Sequence, residues 1–265
     1  RYGATVILGT PTFIRGYVRR IPAEQFAKID TCIVGAEKMP AELFEAFEKK
    51  FGVRPVEGYG TTELSPLVSV NIPPVCSAAT VQPDRCEGSV GRPLPGECAR
   101  IVDPDTGEDL PSGEDGMLLI AGPNVMKGYA NQPERTSEVV NDGWYTTGDI
   151  AHLDADGFIH ITGRLSRFSK IGGEMVPHVR VEEEISKSIA TTEAEAIEGD
   201  TESEIQVCVS SVPDEKKGER LVVLHRPLAK SVDDILRDLK DAGLPNLFIP
   251  GRDAFYEVDQ IPLLG

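Results

Sequence analysis

The sequence predicts an α/β plus α+β protein. It should hold the end of a parallel αβ subdomain, a small antiparallel β-barrel-like subdomain and a separate small α+β domain at the C-terminus. Three observations point there. Over residues 1–70, short apolar runs alternate with a helical pattern. Residues 85–163 are cut by closely spaced turn signals into short apolar runs. After Gly163-Arg164 the texture changes again, with two helical patterns set among strand-like runs.

In chain order, Ala4–Leu8 is an apolar run followed by Gly-Thr-Pro, and Ile29–Val34 is a second, ending at Gly35. Pro40 is placed to open a helix. Leu43, Phe44, Phe47 and Phe51 fall at helical spacing on one face, and Gly52 ends the pattern. Val53–Val56 reads as a returning strand before Gly58-Tyr59-Gly60. Strand, helix, strand is the pattern of a parallel sheet, whose strand C-termini are the usual ligand sites. Gly35-Ala36-Glu37 and Tyr59–Glu63 both fall at such ends. Between 85 and 163, turns are marked at Pro93–Gly96, Asp105–Gly107, Glu114–Gly116, Asn141–Gly143 and Asp154–Gly157. In the last unit, Val176–Ile189 reads as a helix with Val181, Ile185 and Ile189 on one face. Residues 191–204 carry six acids and no base and read as a solvated loop. Ile205–Ser210 and Leu221–Leu224 read as strands. Ser231–Gly243 reads as a helix with Ser231 and Asp234 as a capping box and Gly243 as its stop. The expected domains are 1–163, comprising 1–84 and 85–163, and 164–265.

The formal net charge of −16 disfavours nucleic-acid binding. It is spread evenly, −9 over 1–163 and −7 over 164–265. No run approaches the roughly 20 apolar residues of a membrane span. Five cysteines without a Cys-x-x-Cys pair argue against a zinc site or a disulfide framework and fit a reducing compartment. Cys32 and Cys208 lie in apolar runs and read as core thiols.

Three segments carry chemistry. In Gly58–Glu63 the glycines allow close backbone approach, Tyr59 offers a ring for a purine, and Thr61 and Thr62 offer hydroxyls to phosphate. Glu63 offers a hard oxygen ligand for Mg²⁺. Alone, this hexapeptide reads equally well as a strand-end turn. In Trp144–Asp149 the Asp149 carboxylate can accept ribose hydroxyls, although alone a hairpin end explains it better. In Gly163–Gly173, Arg164, Arg167 and Lys170 stand beside Gly172-Gly173 and can hold anionic oxygens. Alone, a solvated basic turn is the simpler account. Asp154–Gly157 resembles the start of a calcium loop, but its later ligand positions are unfilled, so it reads as a hairpin turn.

In this order, Tyr59-Gly60-Thr61-Thr62-Glu63, Tyr145-Thr146-Thr147-Gly148-Asp149 and Gly163-Arg164 through Lys170-Ile171-Gly172-Gly173-Glu174 resemble the adenylate-forming superfamily. Its members include acyl- and aryl-CoA synthetases, luciferases and peptide-synthetase adenylation domains. Gly35–Met39, Arg167–Val176 and the closing Leu263–Gly265 look like the acyl-[acyl-carrier-protein] synthetase portion of the bifunctional enzymes that also acylate 2-acylglycerophosphoethanolamine. The resemblance implies a ligase of phospholipid acyl recycling. ATP and a fatty acid would give an acyl-adenylate, and the phosphopantetheine thiol of acyl carrier protein would then displace AMP, the small domain swinging near Arg164.

By the family pattern Tyr59 with Gly60 and Thr61 would hold AMP, Thr62 would contact phosphate and Glu63 would support Mg²⁺. Asp149 would hold ribose and Arg164 would reach the nucleotide. Ala36 and Glu37 would line the adenine and acyl pocket, Ile161 would sit near the base, and Lys170 with Gly172 and Gly173 would serve thioester formation. Thr62, Glu63, Arg164 and Lys170 are thus the catalytic candidates. The family often carries Asp where this chain has Arg167. Its phosphate loop and its C-terminal catalytic Lys do not occur within 1–265. The resemblance therefore implies the C-terminal half of a synthetase, inactive by itself, from a cytoplasmic enzyme whose full-length form could associate with the inner membrane. A fatty acyl-CoA ligase shares every nucleotide motif and differs in its thiol acceptor. A non-catalytic nucleotide-binding or interaction module is the reading from another class. Acyl carrier proteins are acidic, so docking one would require a basic patch such as Lys216, Lys217 and Arg220.

Overall fold

The computed structural model describes residues 3–73, 85–189 and 206–261. The acidic stretch 191–204, the start of the expected strand at Ile205, Cys76 and the closing Leu263–Gly265 lie outside the described residues. The chain divides into two compact units, Arg1–Thr162 and Gly163–Gly265.

The first unit begins with β1 (Val6–Gly9), α1 (Pro11–Arg20), β2 (Thr31–Val34), α2 (Ala41–Phe51) and β3 (Val56–Tyr59). β1, β2 and β3 are parallel neighbours. β4 (Ser69–Val70) and β5 (Arg92–Pro93) extend the same sheet antiparallel. The turn-rich portion therefore contributes its first strand to the αβ sheet. Pro40 stands at the N-cap of α2 rather than inside its first turn, and Gly52 closes the helix in the left-handed conformation, φ +72°. The strand after α2 starts at Val56, later than the apolar run suggested, because Arg54-Pro55 must first bring the chain back and Pro55 has no N–H for the ladder. Phe47 is fully buried with Ile14, Cys32 and Val34. Each such large apolar side chain contributes about 1.5–3 kcal/mol.

The remaining strands form a second, curled antiparallel sheet. They are β6 (Cys98–Val102), β7 (Gly116–Ala121), β8 (Val140–Asn141), β9 (Trp144–Leu153) and β10 (Ile159–Arg164), in the order β10-β9-β7-β6 with β8 on β9. A register shift between Met117 and Leu119 bends β7 against β9, as a bulge does. A short helix, α3 (Pro133–Val139), interrupts this portion. It has no buried residue, so no apolar periodicity betrays it.

The second unit contains β11 (Phe168–Ile171), β12 (Glu174–Pro177), α4 (His178–Ile189), β13 (Val207–Asp214), β14 (Gly218–His225), α5 (Val232–Asp241) and β15 (Phe255–Glu257). The sheet order is β12-β11-β14-β13, with β15 parallel to β14. Val181 and Ile185 of α4, Ile235 and Leu239 of α5, and Val209 and Val223 of the sheet form its core. Val176, expected on the helix, belongs to β12. Ser231 caps α5, its Oγ accepting the Asp234 N–H at 3.2 Å. The Asp234 carboxylate accepts from the Ser231 hydroxyl at 2.6 Å, so the capping box closes through that hydroxyl. Leu244 N–H donates to Leu239 O and Gly243 N–H to Lys240 O, the paired bonds of a glycine-terminated helix.

Candidate functional site

Parallel pairing of β2 with β3 aligns Val34 with Glu57. Two residues further along each strand, Ala36 and Tyr59 emerge side by side at the C-terminal edge of the sheet. Ala36 has φ +71°, a conformation costly for any residue with a Cβ and typical of binding loops. Ala36 and Glu37 are exposed, while the half-buried Glu57 accepts the Met39 N–H at 3.3 Å and holds the loop's far end.

Gly60 is demanded by the fold itself. A Cβ there would lie 1.8 Å from the Pro66 carbonyl oxygen, so only glycine lets the chain turn back at 61–68. Gly58 is similarly confined, 3.1 Å from Ser69 O. Val68 N–H donates to Tyr59 O at 2.9 Å, and Met126 N–H donates to Glu63 O at 2.8 Å. Asn124 Nδ2 donates to Leu64 O at 2.9 Å. The Thr61–Glu63 segment is thereby fixed from both sides.

Tyr59 and Asp149, 90 residues apart, meet directly. The Tyr59 hydroxyl donates to Asp149 Oδ2 at 2.5 Å. Asp149 is only 4% exposed. Its backbone N–H donates to Thr147 Oγ1 at 3.0 Å, and Thr147 Oγ1 donates to Leu118 O at 2.9 Å, anchoring β9 to β7. Burial, reinforced by the Asp149 charge, pushes the Tyr59 phenol well above its ordinary range.

A second phenol–carboxylate pair lies in the same unit. Tyr129 Oη donates to Glu63 Oε1 at 2.9 Å. The Arg135 guanidinium on α3 lies 4.8 Å over the Tyr129 ring. Thr136, also on α3, accepts the Tyr129 N–H at 2.9 Å. Burial pushes the Glu63 carboxyl up, but its own backbone N–H, Tyr129, Thr61 and Arg135 outweigh that and hold it below the usual carboxylate range. Tyr145 is buried in the same cluster, its phenol pushed up to about 12 by burial and then by Glu63 and Tyr129. Thr61 Oγ1 is buried without a well-formed hydrogen bond, while Thr62 is exposed. Tyr129 and Arg135 are not singled out by the sequence, and Tyr145 enters there only as the first residue of the Asp149 motif. The one local signal is Gly128-Tyr129, which repeats the dipeptide Gly58-Tyr59. Ile161 on β10 packs at the edge of the same apolar cluster as Tyr59 and Tyr145.

In the second unit Arg164 and Lys170 are exposed. The Lys170 N–H donates to Glu219 Oε2 at 2.5 Å. Gly172 and Gly173 have φ +61° and +91° and form the two-residue turn between β11 and β12, where positive φ at both positions selects glycine. They are required by the hairpin itself. Arg167, read as a possible anion holder, is committed elsewhere. Its Nη2 bonds both Glu182 oxygens, at 2.5 and 2.6 Å, and Glu182 Oε1 also accepts the Val209 N–H at 2.6 Å. Lys216 and Lys217 occupy the exposed β13–β14 turn, and Arg220 pairs with Asp253 at 3.0 Å. Cys32 is a buried thiol pushed up to about 12 by burial, whereas Cys208 is only half-buried, beside Arg167. Among the described residues no helix is long and apolar enough to cross a membrane.

The sequence model of the AMP-binding enzyme family matches residues 1–130. A long-chain-fatty-acid–CoA ligase of Bacillus subtilis (strain 168) is 34% identical over 240 residues, covering 89% of this chain and 39% of the relative. A feruloyl-CoA synthase of Amycolatopsis sp. is 35% identical over 188 residues, covering 68% of this chain and 35% of the relative. ATP-bound MatB from Rhodopseudomonas palustris superposes with a TM-score of 0.72 at 30% identity, covering 98% of this chain and 48% of that one. The chain thus spans less than half the length of these relatives. The parallel-sheet edge, the curled sheet bearing Asp149 and the agreement in sequence together place the chain in the adenylate-forming superfamily, the AMP-binding enzymes.

Proposed function

We propose that the protein carrying this chain is an ATP-dependent, AMP-forming acid–thiol ligase that activates a fatty acid and transfers it to coenzyme A. The observation that carries this reading is the 2.5 Å Tyr59–Asp149 hydrogen bond, which joins two motifs into one polar wall beside Glu63. The names of the relatives favour coenzyme A as acceptor. They give no support to acyl carrier protein, which the wording of residues 167–176 favoured.

On this reading Tyr59 presents its ring to adenine with its hydroxyl tethered on Asp149, and Asp149 receives the ribose hydroxyls. Ala36 and Glu37 border the same sheet edge, and Ile161 supports the base. Thr61 and Thr62 offer hydroxyls to phosphate. Glu63, kept ionised by its donors, is a hard oxygen ligand suited to Mg²⁺, which would neutralise phosphate charge. Arg164 would contact the nucleotide, and Lys170 would serve the thiol-transfer half-reaction. A carboxylate becomes an acyl donor only once its oxygen is a good leaving group. The residues' principal task is therefore to position phosphate and offset the charge that develops there.

The test is pyrophosphate release by the full-length protein with ATP and a long-chain acid, followed by separate addition of coenzyme A and acyl carrier protein. Thioester formed with coenzyme A supports the proposal. Thioester formed only with carrier protein restores that acceptor. Nucleotide binding without pyrophosphate release favours a non-catalytic module.

A further inference from the structure

Outside the nucleotide wall, the first unit brings together three side chains of different ligand chemistry. Cys86 Sγ, an Asp154 carboxylate oxygen and a His160 ring nitrogen lie within 4.8 Å of one another, all half-buried. Cys86 precedes β5, Asp154 sits in the β9–β10 turn and His160 lies on β10, so the tertiary fold alone makes the cluster.

Each ligand is held from behind. Asp154 Oδ1 accepts the backbone N–H groups of Asp156 and Phe158, both at 2.9 Å. That leaves Oδ2 directed at His160 Nε2, 3.2 Å away. The Cys86 N–H donates to Asn71 Oδ1 at 2.9 Å, and its carbonyl accepts the Ser89 hydroxyl at 2.7 Å. Asn71 and Ser89 are themselves buried. The His160 ring stacks on His152, centroids 4.8 Å apart and 11° from parallel. Such supporting contacts orient metal ligands and set their affinity. The thiol itself lies 3.7 Å from its neighbour's carbonyl oxygen.

We propose that Cys86, Asp154 and His160 bind one divalent transition-metal ion, best matched by zinc, which staples the segment leading into β5 to the β9–β10 hairpin. A thiolate, an imidazole and a carboxylate form a zinc-type donor set with one position left for water. Calcium and magnesium require oxygen ligands and do not suit it. Tetrahedral zinc, with bonds of about 2.0–2.3 Å, separates its ligands by about 3.3–3.8 Å. The Asp154–His160 pair, 3.2 Å apart, is close to that spacing, and the thiol, within 4.8 Å of both, closes on a shared ion by a side-chain adjustment. Burial first, then Asp154, Asp156 and Glu87, pushes the Cys86 thiol up. The acidic side chains Asp154, Asp156 and Glu87 around the thiol favour a dication there. The site is independent of the nucleotide reading, because none of its ligands belongs to that wall.

The experiment uses the protein stripped with chelator under reducing conditions and then offered Zn²⁺ or Co²⁺ alone. The expected result is one equivalent of zinc retained through gel filtration and a near-ultraviolet thiolate-to-cobalt band. Both should vanish in Cys86→Ser and persist in Cys98→Ser. His160→Gln and Asp154→Asn should each weaken binding by about tenfold or more. Unchanged Trp144 fluorescence and circular dichroism in Cys86→Ser show that the fold survives. Absence of stoichiometric zinc from the wild type, or a cobalt band that survives Cys86→Ser, overturns the proposal.

Discussion

Replacing Tyr59 by Phe removes one oxygen and keeps the ring, so it isolates the bond that joins β3 to β9. Asp149 is almost fully buried and accepts that hydroxyl at 2.5 Å. A hydrogen bond to a charged group contributes about 1.5–3 kcal/mol, and the buried Asp149 carboxylate has little access to replacement water. The first unit should therefore lose about 1.5–3 kcal/mol in Tyr59→Phe. The chain has one tryptophan, Trp144, on the same strand as Asp149. Urea unfolding followed by its fluorescence therefore reports on this unit.

The pH dependence adds a second check. The folded-state pKa of Tyr59 is raised above its unfolded value, so its contribution is fully present below the ordinary phenol pKa of about 10. It is lost as pH rises from there towards the folded-state pKa. The difference between wild type and Tyr59→Phe should be flat across neutral pH and shrink above about pH 10. A Tyr59→Phe stability within about 0.5 kcal/mol of wild type, or a difference that does not shrink in alkali, would rule out this account of the bond.

Tyr129→Phe removes a donor from Glu63, so the carboxyl should rise towards its ordinary value. The acid limb of pyrophosphate release should then shift to higher pH, as a pH–rate profile would detect. Arg167→Ala should cost the second unit roughly 1–3 kcal/mol by calorimetry, because Glu182 would lose its bidentate partner, the pair's partial exposure moderating the loss. AMP affinity should stay within about twofold of wild type, since Arg167 is committed to Glu182. Arg164→Ala should do the reverse, leaving thermal stability within about 0.5 kcal/mol while weakening AMP in titration calorimetry. Gly60→Ala forces a Cβ to 1.8 Å from the Pro66 carbonyl oxygen and must displace the 60–67 turn. AMP binding should fall at least about tenfold, with a destabilisation above about 2 kcal/mol.

Much of the architecture was legible because it rests on local rules. The Leu43–Phe51 periodicity, the Gly52 stop and the Ser231 cap act within a few residues, and each reappears in the structure. α3 was missed because a surface helix without a buried face leaves no apolar period. Val176 reads as helical from sequence because a strand ending at Pro177 and a helix starting at His178 form one continuous apolar pattern.

The family's motifs and their order are legible in the primary structure, because Tyr59–Glu63, Trp144–Asp149 and Gly163–Glu174 are contiguous strings whose chemistry can be read residue by residue. What those residues touch is set by the folded chain. It tethered Tyr59 to Asp149, brought Tyr129 and Arg135 to Glu63, paired Arg167 with Glu182 and gathered Cys86, Asp154 and His160. Each of these contacts joins segments that are distant in sequence or offset by strand register. Periodicity and turn chemistry fix the conformation of a segment, whereas burial and sheet pairing fix which segments become neighbours.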